Sequence, residues 1–513
     1  MTPAAALPRV KPRRVPFWLF GAFVATGLGT VLGLTLDQPL MAVAVPLIAA
    51  GAWALFQAPL KVTASGLFLL TFLFEGLQSP LDHGWEAPLM PVARLFLTNL
   101  NATIGVGFLR LPLVDLLTIL LVGAAIVRRR DATYVSHAPT VRPLNYALFI
   151  SAGAVVGLDV LGTLQGGNFN ESLWQLRQTL MFPLRTVLLL RAFDGTDREL
   201  KNIARAIIVV AVFKALIGIY YVHSFIRPNG YEIEFTTSHT DTLLFIPLLA
   251  LYFNLLVERV RWKLILDGLV WLPIVIYGLV LNDRRLAYVC LGIAVIATMA
   301  LSPPTMFKRL LLRAAVIAAP FLPPYVLLGW SSTGGSLFWG ARLVRSLIVG
   351  DPNQGAQPDY RDIENVNVLF AWANNALIPY GFGHKMGKLF ELPDISSAMP
   401  TWEYHPHNQY LWFMAIGGPI GFTLMMLPHV VAIYLCARTY AVAKEDDLWV
   451  RVWCLTGIGI VASFFCQMYG DMGTLSWTPS WMAALAAALA SKLAVRTGAW
   501  PGPSQPAGAP PTR

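Results

Sequence analysis

Long apolar runs and short polar connections alternate along almost the whole chain. A helix needs roughly 20 apolar residues to cross the hydrocarbon layer of a bilayer, and most of these runs are long enough to do so. The pattern therefore predicts fourteen membrane-spanning helices and no sheet. The predicted spans are residues 16–35, 40–57, 60–78, 110–127, 145–164, 174–192, 203–222, 241–257, 264–282, 286–302, 312–329, 409–436, 450–469 and 475–493.

The composition supports a membrane protein. Hydrophobic residues make up 56% of the 513 residues and charged residues only 13%, whereas a soluble domain carries about 25% charged residues. The first apolar run follows a basic segment but is long and lacks a small-residue cleavage site. It is therefore interpreted as a first span and not as a signal peptide.

The net charge of +10 would suggest a nucleic-acid partner in a soluble protein, but the placement of the basic residues points to the membrane instead. Alternate connections carry the basic clusters, and the positive-inside rule places these connections in the cytoplasm. Both termini then lie in the cytoplasm, as an even number of spans requires, and no nucleic acid is expected. The clusters begin at Arg9, Arg128, Arg198, Arg259, Lys308, Arg438 and Lys492.

The spans and connections divide the chain into five parts. The fourth part is much the longest polar connection and is predicted to be a periplasmic cap, because its many aromatic residues argue against disorder. Within it, residues 361–377 place Ile363, Val366, Phe370 and Ala371 at helical spacing, which predicts an amphipathic helix. The parts are 1–15, a disordered cytoplasmic tail; 16–329, spans one to eleven; 330–408, the cap with short helices; 409–496, spans twelve to fourteen; and 497–513, a second disordered tail.

Several arginines fall on the predicted periplasmic side, where the positive-inside rule disfavours them. Arginine at membrane depth usually has a partner or a function, and its planar guanidinium binds phosphate oxygens in pairs. The group therefore predicts an anion site, with ion pairs to Asp283, Asp359, Asp362 or Glu364 as the alternative. These arginines are Arg177, Arg227, Arg284, Arg285, Arg342, Arg345 and Arg361.

The segment His405-Pro406-His407-Asn408 stands where the cap returns to the membrane. A neutral imidazole suits proton abstraction near neutral pH, so His407 is a candidate general base, with a plain polar loop residue as the alternative. Asn408 is able to bind a sugar hydroxyl or to orient the ring. Gly418 and Gly421 in the following span allow close helix packing or the approach of a ligand. The four cysteines lie within spans without metal-ligand spacing and are expected to be packing residues.

These motifs resemble the bacterial O-antigen ligase and O-antigen (exopolysaccharide) polymerase superfamily. The pattern His407-Asn408-x9-Gly418-x2-Gly421 is similar to the superfamily signature. Tyr360-Arg361 followed by Pro379-Tyr380-Gly381-Phe382-Gly383 is similar to its upstream segment, and Arg284-Arg285 resembles its arginine turn. The resemblance covers roughly residues 280–425; Phe422-Thr423 departs from the threonine pair that some ligases carry.

The resemblance implies a metal-independent, inverting glycosyltransferase of the GT-C class in the bacterial inner membrane, with no cofactor. Its donor would be a glycan on undecaprenyl pyrophosphate, and its acceptor a hydroxyl of another glycan, of lipid A core or of a protein. His407 would be the base. Gly418 and Gly421 would be structural. The substrate-binding residues would be Arg284, Arg285, Arg361, Asn408, Arg177 and Arg227.

The alternatives differ in acceptor and in class. The fourteen predicted spans and the missing threonine pair favour a polysaccharide polymerase over a lipopolysaccharide ligase, and a protein O-oligosaccharyltransferase is a further alternative. A flippase for the lipid-linked oligosaccharide would also use many spans and internal arginines. A flippase is built from comparable halves around a central site, and this chain shows no such repeat.

Overall fold

A computed structural model of the protein describes residues 57–104, 111–231, 236–259, 262–282, 284–332, 337–348, 360–375, 378–396, 401–470 and 473–501. These residues form helices and no β-strand, which confirms the all-α prediction for the described part of the chain. The predicted span 16–35, the predicted span 40–57 except Gln57, the tail 1–15, residues 502–513, Asp283 and Asp359 lie outside the described residues.

Helical structure coincides with each of the twelve predicted spans that fall within the described residues. Short 3-10 turns cover Asp82–Gly84, His239–Asp241, Ala319–Phe321 and Gly473–Leu475, and a π turn covers Val222–Ile226. The α-helices are α1 (Leu60–Phe74), α2 (Met90–Leu97), α3 (Leu100–Ile104), α4 (Leu113–Val127), α5 (Arg142–Leu164), α6 (Phe169–Ala192), α7 (Asp197–Tyr221), α8 (Thr242–Glu258), α9 (Trp262–Leu281), α10 (Arg285–Leu301), α11 (Met306–Ala318), α12 (Leu322–Gly329), α13 (Trp339–Ile348), α14 (Tyr360–Asn374), α15 (Gln409–Val442), α16 (Leu448–Gly470) and α17 (Trp477–Arg496).

Six helical segments among the described residues are long and apolar enough to cross a membrane: α5, α7 with its π turn, α8 with the turn before it, α11 continued by α12, α15 and α16. Four shorter apolar helices accompany them: α1, α4, most of α9, and α10. The structure therefore supports a helical membrane protein, while the count of fourteen spans remains a prediction.

Helix α17 lies at the centre of the bundle. Every residue from Trp477 to Ala494 is buried, and the helix packs against α6, α15 and α16. Its run of alanines leaves little side-chain volume, so neighbouring helices approach its backbone closely on all sides. An alanine-rich span is therefore suited to the middle of the bundle and not to its lipid-facing surface.

Ion pairs and hydrogen bonds connect neighbouring helices at both ends of the bundle. At one end Arg451 lies 2.6 Å from Glu258, and Arg496 lies 2.7 Å from Asp197. The helix termini at this end carry the basic clusters, and it is called the basic end below. At the opposite end the backbone N–H of Thr474 donates to the Oε1 of Gln409 at 2.7 Å. This opposite end, where α15 begins, is called the site end.

Helix α14 lies within the predicted cap and packs on the first turns of α15. Its buried residues are Glu364, Asn367, Val368 and Ala371. The expected apolar face was partly wrong, since Val366 and Phe370 are exposed. The difference arises because the buried face accommodates two polar side chains, each bound to a partner in the adjoining loop.

Candidate active site

The centre of the candidate site is a pair formed by His407 and Glu364. The Nδ1 of His407 lies 3.0 Å from the Oε2 of Glu364, and the backbone N–H of His407 donates to the same oxygen at 2.8 Å. Glu364 is buried while the imidazole is partly exposed. A carboxylate beside Nδ1 favours the tautomer with its proton on that atom, which leaves Nε2 as the proton acceptor. The imidazole is partly exposed and none of the described hydrogen bonds involves Nε2, which suits contact with a substrate hydroxyl.

The first turn of α14 brings two further groups to this pair. The ring of Tyr360 meets the imidazole of His407 edge-on, with the centroids 6.0 Å apart. Burial and the charge of Glu364 raise the pKa of the Tyr360 hydroxyl well above its usual range, so it stays protonated. Arg361 is exposed and precedes Glu364 by three residues, which places both side chains on neighbouring positions of the helix surface. The site thus combines a proton acceptor, a hydroxyl donor and a guanidinium.

Asn408 has a structural role in the described geometry. It is the N-cap of α15, and its side-chain oxygen accepts from the backbone N–H of Leu411 at 3.3 Å. An N-cap of this kind satisfies one of the free amides at the start of a helix and fixes where the helix begins. Asn408 therefore holds the preceding residue, His407, at the mouth of α15. A contact of Asn408 with substrate remains a prediction.

Gly418 breaks α15. Its backbone has φ 61° and ψ −175°, a conformation that side chains disfavour. Beside the break, Gly417 and Gly421 pack against Leu158 of α5: a Cβ atom would lie 3.1 Å and 3.2 Å, respectively, from a methyl carbon of that leucine. An apolar groove of about 300 Å³ also opens between α5 and this region. The glycines thus serve both close packing and an open groove.

The loop Pro379–Gly383 docks on the end of α5 and brings the cap down to the bundle. The backbone N–H of Gly381 donates to Ile416 at 3.0 Å, and that of Phe382 donates to Leu158 at 3.2 Å. Gly162 permits this contact because a Cβ atom there would lie 1.9 Å from the Phe382 carbonyl oxygen. The glycines of this loop therefore support backbone-to-backbone docking beside the site.

Gln175 of α6 joins the loop to the histidine segment. Its side chain is fully buried, its oxygen accepts from the backbone N–H of Gly383, and its Nε2 donates to the carbonyl of Tyr404 at 2.8 Å. A third contact reaches the carbonyl of His384 at 3.3 Å. One side chain of α6 therefore joins the Pro379–Gly383 loop to the segment that precedes His407.

His405 is buried, and its ring packs against that of Trp412 with the centroids 5.6 Å apart. Burial lowers the pKa of His405 to about 4, an effect that a hydrogen bond to the Thr401 backbone opposes and the charge of Arg177 reinforces. This imidazole therefore stays neutral at physiological pH. Of the two histidines in the segment, only His407 faces an accessible surface.

Arg284 and Arg285 lie at the start of α10, at the same end of the bundle. The Nη2 of Arg284 lies 3.0 Å from the Nε2 of His239. Gln467 of α16 donates to the carbonyl of His239 at 3.3 Å. The 3-10 turn after α16 also contacts this region, because the backbone N–H of Thr474 donates to the side chain of Gln409, the residue after Asn408. Arg284 and the His407 segment are therefore joined through the outer end of α16.

Arg177 is buried and largely engaged with protein groups. Its Nε lies 3.6 Å from a carboxylate oxygen of Asp115, and its Nη1 donates to Asn99 at 3.3 Å. Its guanidinium lies over the rings of Trp174 and Trp477, at 4.4 Å and 5.2 Å. Its nearest link to the site is its charge, which acts on His405. A direct role in substrate binding remains a prediction.

Arg227 is exposed and follows the π turn after α7. Its backbone N–H donates to the carbonyl of Val222, and none of the described contacts joins its side chain to the other candidate residues. The described contacts thus connect Arg284 with the His407–Asn408 segment, while Arg361 lies one turn before Glu364 and Arg285 follows Arg284 in the chain; Arg227 lies apart.

Sequence reasoning missed Glu364, Gln175 and Gly162 as site residues. Glu364 was considered only as an ion-pair partner for an arginine. Its spacing after Tyr360-Arg361 was an available signal, because it places a carboxylate one turn from an arginine. Among the described residues, no cluster of histidine, cysteine, aspartate and glutamate has the arrangement of a metal site.

Comparison with known proteins adds no assignment: the chain matches no protein-family model and no curated protein.

Proposed function

We propose that this protein is a membrane glycosyltransferase that moves a glycan from a polyprenyl-pyrophosphate carrier to an acceptor hydroxyl at the site end of the bundle. The observation that carries the proposal is the His407–Glu364 pair, whose partly exposed imidazole lies at the mouth of α15. The resemblance of the sequence to the O-antigen ligase and polymerase superfamily supplies the substrate class. In that setting the site end faces the periplasm and both termini lie in the cytoplasm.

His407 acts as the general base in this proposal. Glu364 holds Nδ1, so Nε2 takes the proton of the acceptor hydroxyl as that oxygen attacks the anomeric carbon. The carboxylate also stabilises the imidazolium that forms. General base catalysis of this kind contributes about 10²–10⁴ in rate. Attack on the face opposite the leaving group inverts the anomeric centre.

The leaving group is the polyprenyl pyrophosphate, whose negative charge grows as the glycosidic bond breaks. Arg361 lies one turn before Glu364 on α14, and Arg284 and Arg285 lie at the start of α10, at the same end of the bundle. Guanidinium groups pair with phosphate oxygens in a fixed geometry, and such preorganised charge is worth several kcal/mol, roughly, in a water-poor site. The protonated hydroxyl of Tyr360 adds a neutral donor.

The identity of the acceptor distinguishes three kinds of transferase. A second lipid-linked glycan as acceptor makes the protein an exopolysaccharide or O-antigen polymerase. Lipid A core makes it an O-antigen ligase of lipopolysaccharide biosynthesis, and a protein hydroxyl makes it an O-oligosaccharyltransferase. The predicted span count and Phe422-Thr423 favour the polymerase.

A flippase for the same lipid-linked oligosaccharide is the rival function. It needs a charged path that opens to both sides of the membrane. The candidate residues instead gather at one end of the bundle, and a histidine held by a carboxylate serves proton transfer better than transport.

The deciding experiment uses the full chain, purified and reconstituted with a fluorescent polyprenyl-pyrophosphate oligosaccharide, followed by product sizing. A ladder of lengths identifies a polymerase and one discrete conjugate identifies a ligase. His407→Ala is expected to abolish transfer, whereas His223→Ala, which changes an exposed histidine outside the site, keeps it. If His407→Ala retains transfer activity, His407 is not the general base. Translocation of the lipid without transfer establishes the flippase instead.

A further inference from the structure

A polar cavity lies at the basic end of the bundle. It has a volume of about 210 Å³ and is bordered by the start of α1, the connection from α4 to α5, and the connection from α6 to α7. Helix α6 runs for 24 residues between the two ends, about 36 Å at 1.5 Å per residue. The cavity is therefore remote from His407. Its polar lining side chains include Lys61, Thr133, Tyr134, Ser136, His137 and Asp194.

Charges of both signs line this cavity. The Nζ of Lys61 lies 3.6 Å from a carboxylate oxygen of Asp194, and both side chains are more than a third exposed. Lys61 also pairs with Glu199, and Asp194 accepts from the hydroxyl of Ser136. An ammonium has three donors and a carboxylate about four acceptor positions. Both groups therefore retain capacity for a ligand that carries a cation and an anion.

Tyr134 supplies a second, independent indication of a ligand. Its side chain is buried and lines the cavity, yet its hydroxyl makes no hydrogen bond to a described residue. A buried hydroxyl without a partner costs free energy, so an acceptor from a ligand would be favourable there. The guanidinium of Arg128 lies 4.0 Å over the same ring and adds positive charge on this side.

Exposed apolar side chains lie close in the chain to residues that line the cavity. Val62 follows Lys61 on α1, and Ile126 and Val127 end α4 just before Arg128; all three apolar side chains are exposed. In a membrane protein such side chains contact acyl chains, and the adjoining helix ends lie at headgroup depth. A ligand with a polar head and acyl chains therefore matches both the cavity and its surroundings.

We propose that this cavity binds the headgroup of a phosphoethanolamine lipid. The primary ammonium of the lipid donates to Asp194, and its phosphate oxygens accept from the hydroxyl of Tyr134 and the ammonium of Lys61. A phosphocholine group has no N–H to donate to the carboxylate, and a phosphoglycerol group has no cation to meet it. The site does not depend on the proposed glycosyltransferase activity.

The test measures the thermal unfolding of the purified full chain in detergent during titration with lipids of identical acyl chains. Phosphoethanolamine lipid is expected to stabilise the protein with an apparent affinity about tenfold tighter than phosphocholine or phosphoglycerol lipid, since one charge-assisted contact distinguishes them. Asp194→Asn removes the preference. Tyr134→Phe weakens binding about tenfold and is expected to fold, because the lost hydroxyl has no described partner. Tyr146→Phe, an exposed tyrosine on α5, keeps full binding.

Three results overturn the proposal. The first is equal stabilisation by all three lipids, and the second is an unchanged preference in Asp194→Asn together with unchanged affinity in Tyr134→Phe. The third is a full effect from soluble phosphoethanolamine or from inorganic phosphate alone, which assigns the cavity to a soluble ligand.

Discussion

The carboxylate of Glu364 accepts from the backbone N–H of His407 and approaches its Nδ1 at 3.0 Å, although the two residues are 43 positions apart in the chain. The double contact fixes both the position and the orientation of the imidazole. A histidine held in this way differs from a surface histidine, whose ring turns freely between rotamers. The catalytic proposal rests on this relationship.

Glu364→Gln is expected to lower the transfer rate by about 10²-fold or more. The carboxamide keeps the size of the side chain but carries no charge to stabilise the imidazolium. Its amide group also accommodates the inactive tautomer, with the proton on Nε2, as well as the active one, with the proton on Nδ1. The rate of product formation at saturating donor is the measurement. Asp362→Asn, an exposed position on the same helix, serves as control and should leave the rate unchanged. Equal rates for Glu364→Gln and the control would separate the carboxylate from the chemistry.

Gly162→Ala is expected to displace the Pro379–Gly383 loop, because the new Cβ atom would lie 1.9 Å from the Phe382 carbonyl oxygen. Backbone atoms cannot yield to that contact, so the thermal midpoint and the transfer rate should both fall. Gly153→Ala on the same helix meets no atom within 4 Å and is the matched control. The control should be neutral or slightly stabilising, since alanine favours a helix by up to about 1 kcal/mol over glycine. Equal thermal midpoints and transfer rates in the two variants would contradict close docking of the loop on Gly162.

Gln175→Leu is expected to destabilise the protein by roughly 3 kcal/mol, because three hydrogen bonds to loop backbone groups are lost. Gln178, one turn further along α6, is also buried, but neither polar atom of its side chain has a described partner. Gln178→Leu should therefore be neutral or stabilising. Hydrogen exchange at Gly383, followed by mass spectrometry, should rise in Gln175→Leu only. A larger loss of stability in Gln178→Leu would show that the hydrogen bonds of Gln175 do not hold the loops.

Acidification is expected to destabilise the protein through His405. Its pKa is about 4 in the folded chain, against about 6.5 for an ordinary histidine. Between these values the unfolded chain binds a proton that the folded chain does not, so stability is complete above about pH 6.5 and falls as the pH drops towards 4. The contribution amounts to roughly 3 kcal/mol.

His405→Gln should remove this part of the acid sensitivity. The measurement is the thermal midpoint of the purified chain in detergent, taken at several values between about pH 7 and pH 4.5. His137→Gln, at an exposed position, should follow the parent protein. An acid response of His405→Gln as steep as that of the parent would mean that the imidazole is already charged in the folded state.

Local pattern alone predicted where the helices lie. Apolar runs of spanning length coincide with helical structure at α5, α8, α15 and α16, and the basic clusters within the described residues gather at one end of the bundle as their alternation implied. These features follow from sequence because a bilayer selects each helix by its own length and polarity. The position of His407 at the start of a span was visible for the same reason.

Tertiary structure alone decided which groups meet. Glu364 faces His407, Gln175 joins Gly383 to Tyr404, and Gly162 receives Phe382, each across a long separation in the chain. No local periodicity encodes such pairs, because a buried polar side chain is selected by the partner that packing brings to it. The same reason explains why Arg177, singled out as a cation on the wrong side, turned out to lie between two tryptophans and Asp115.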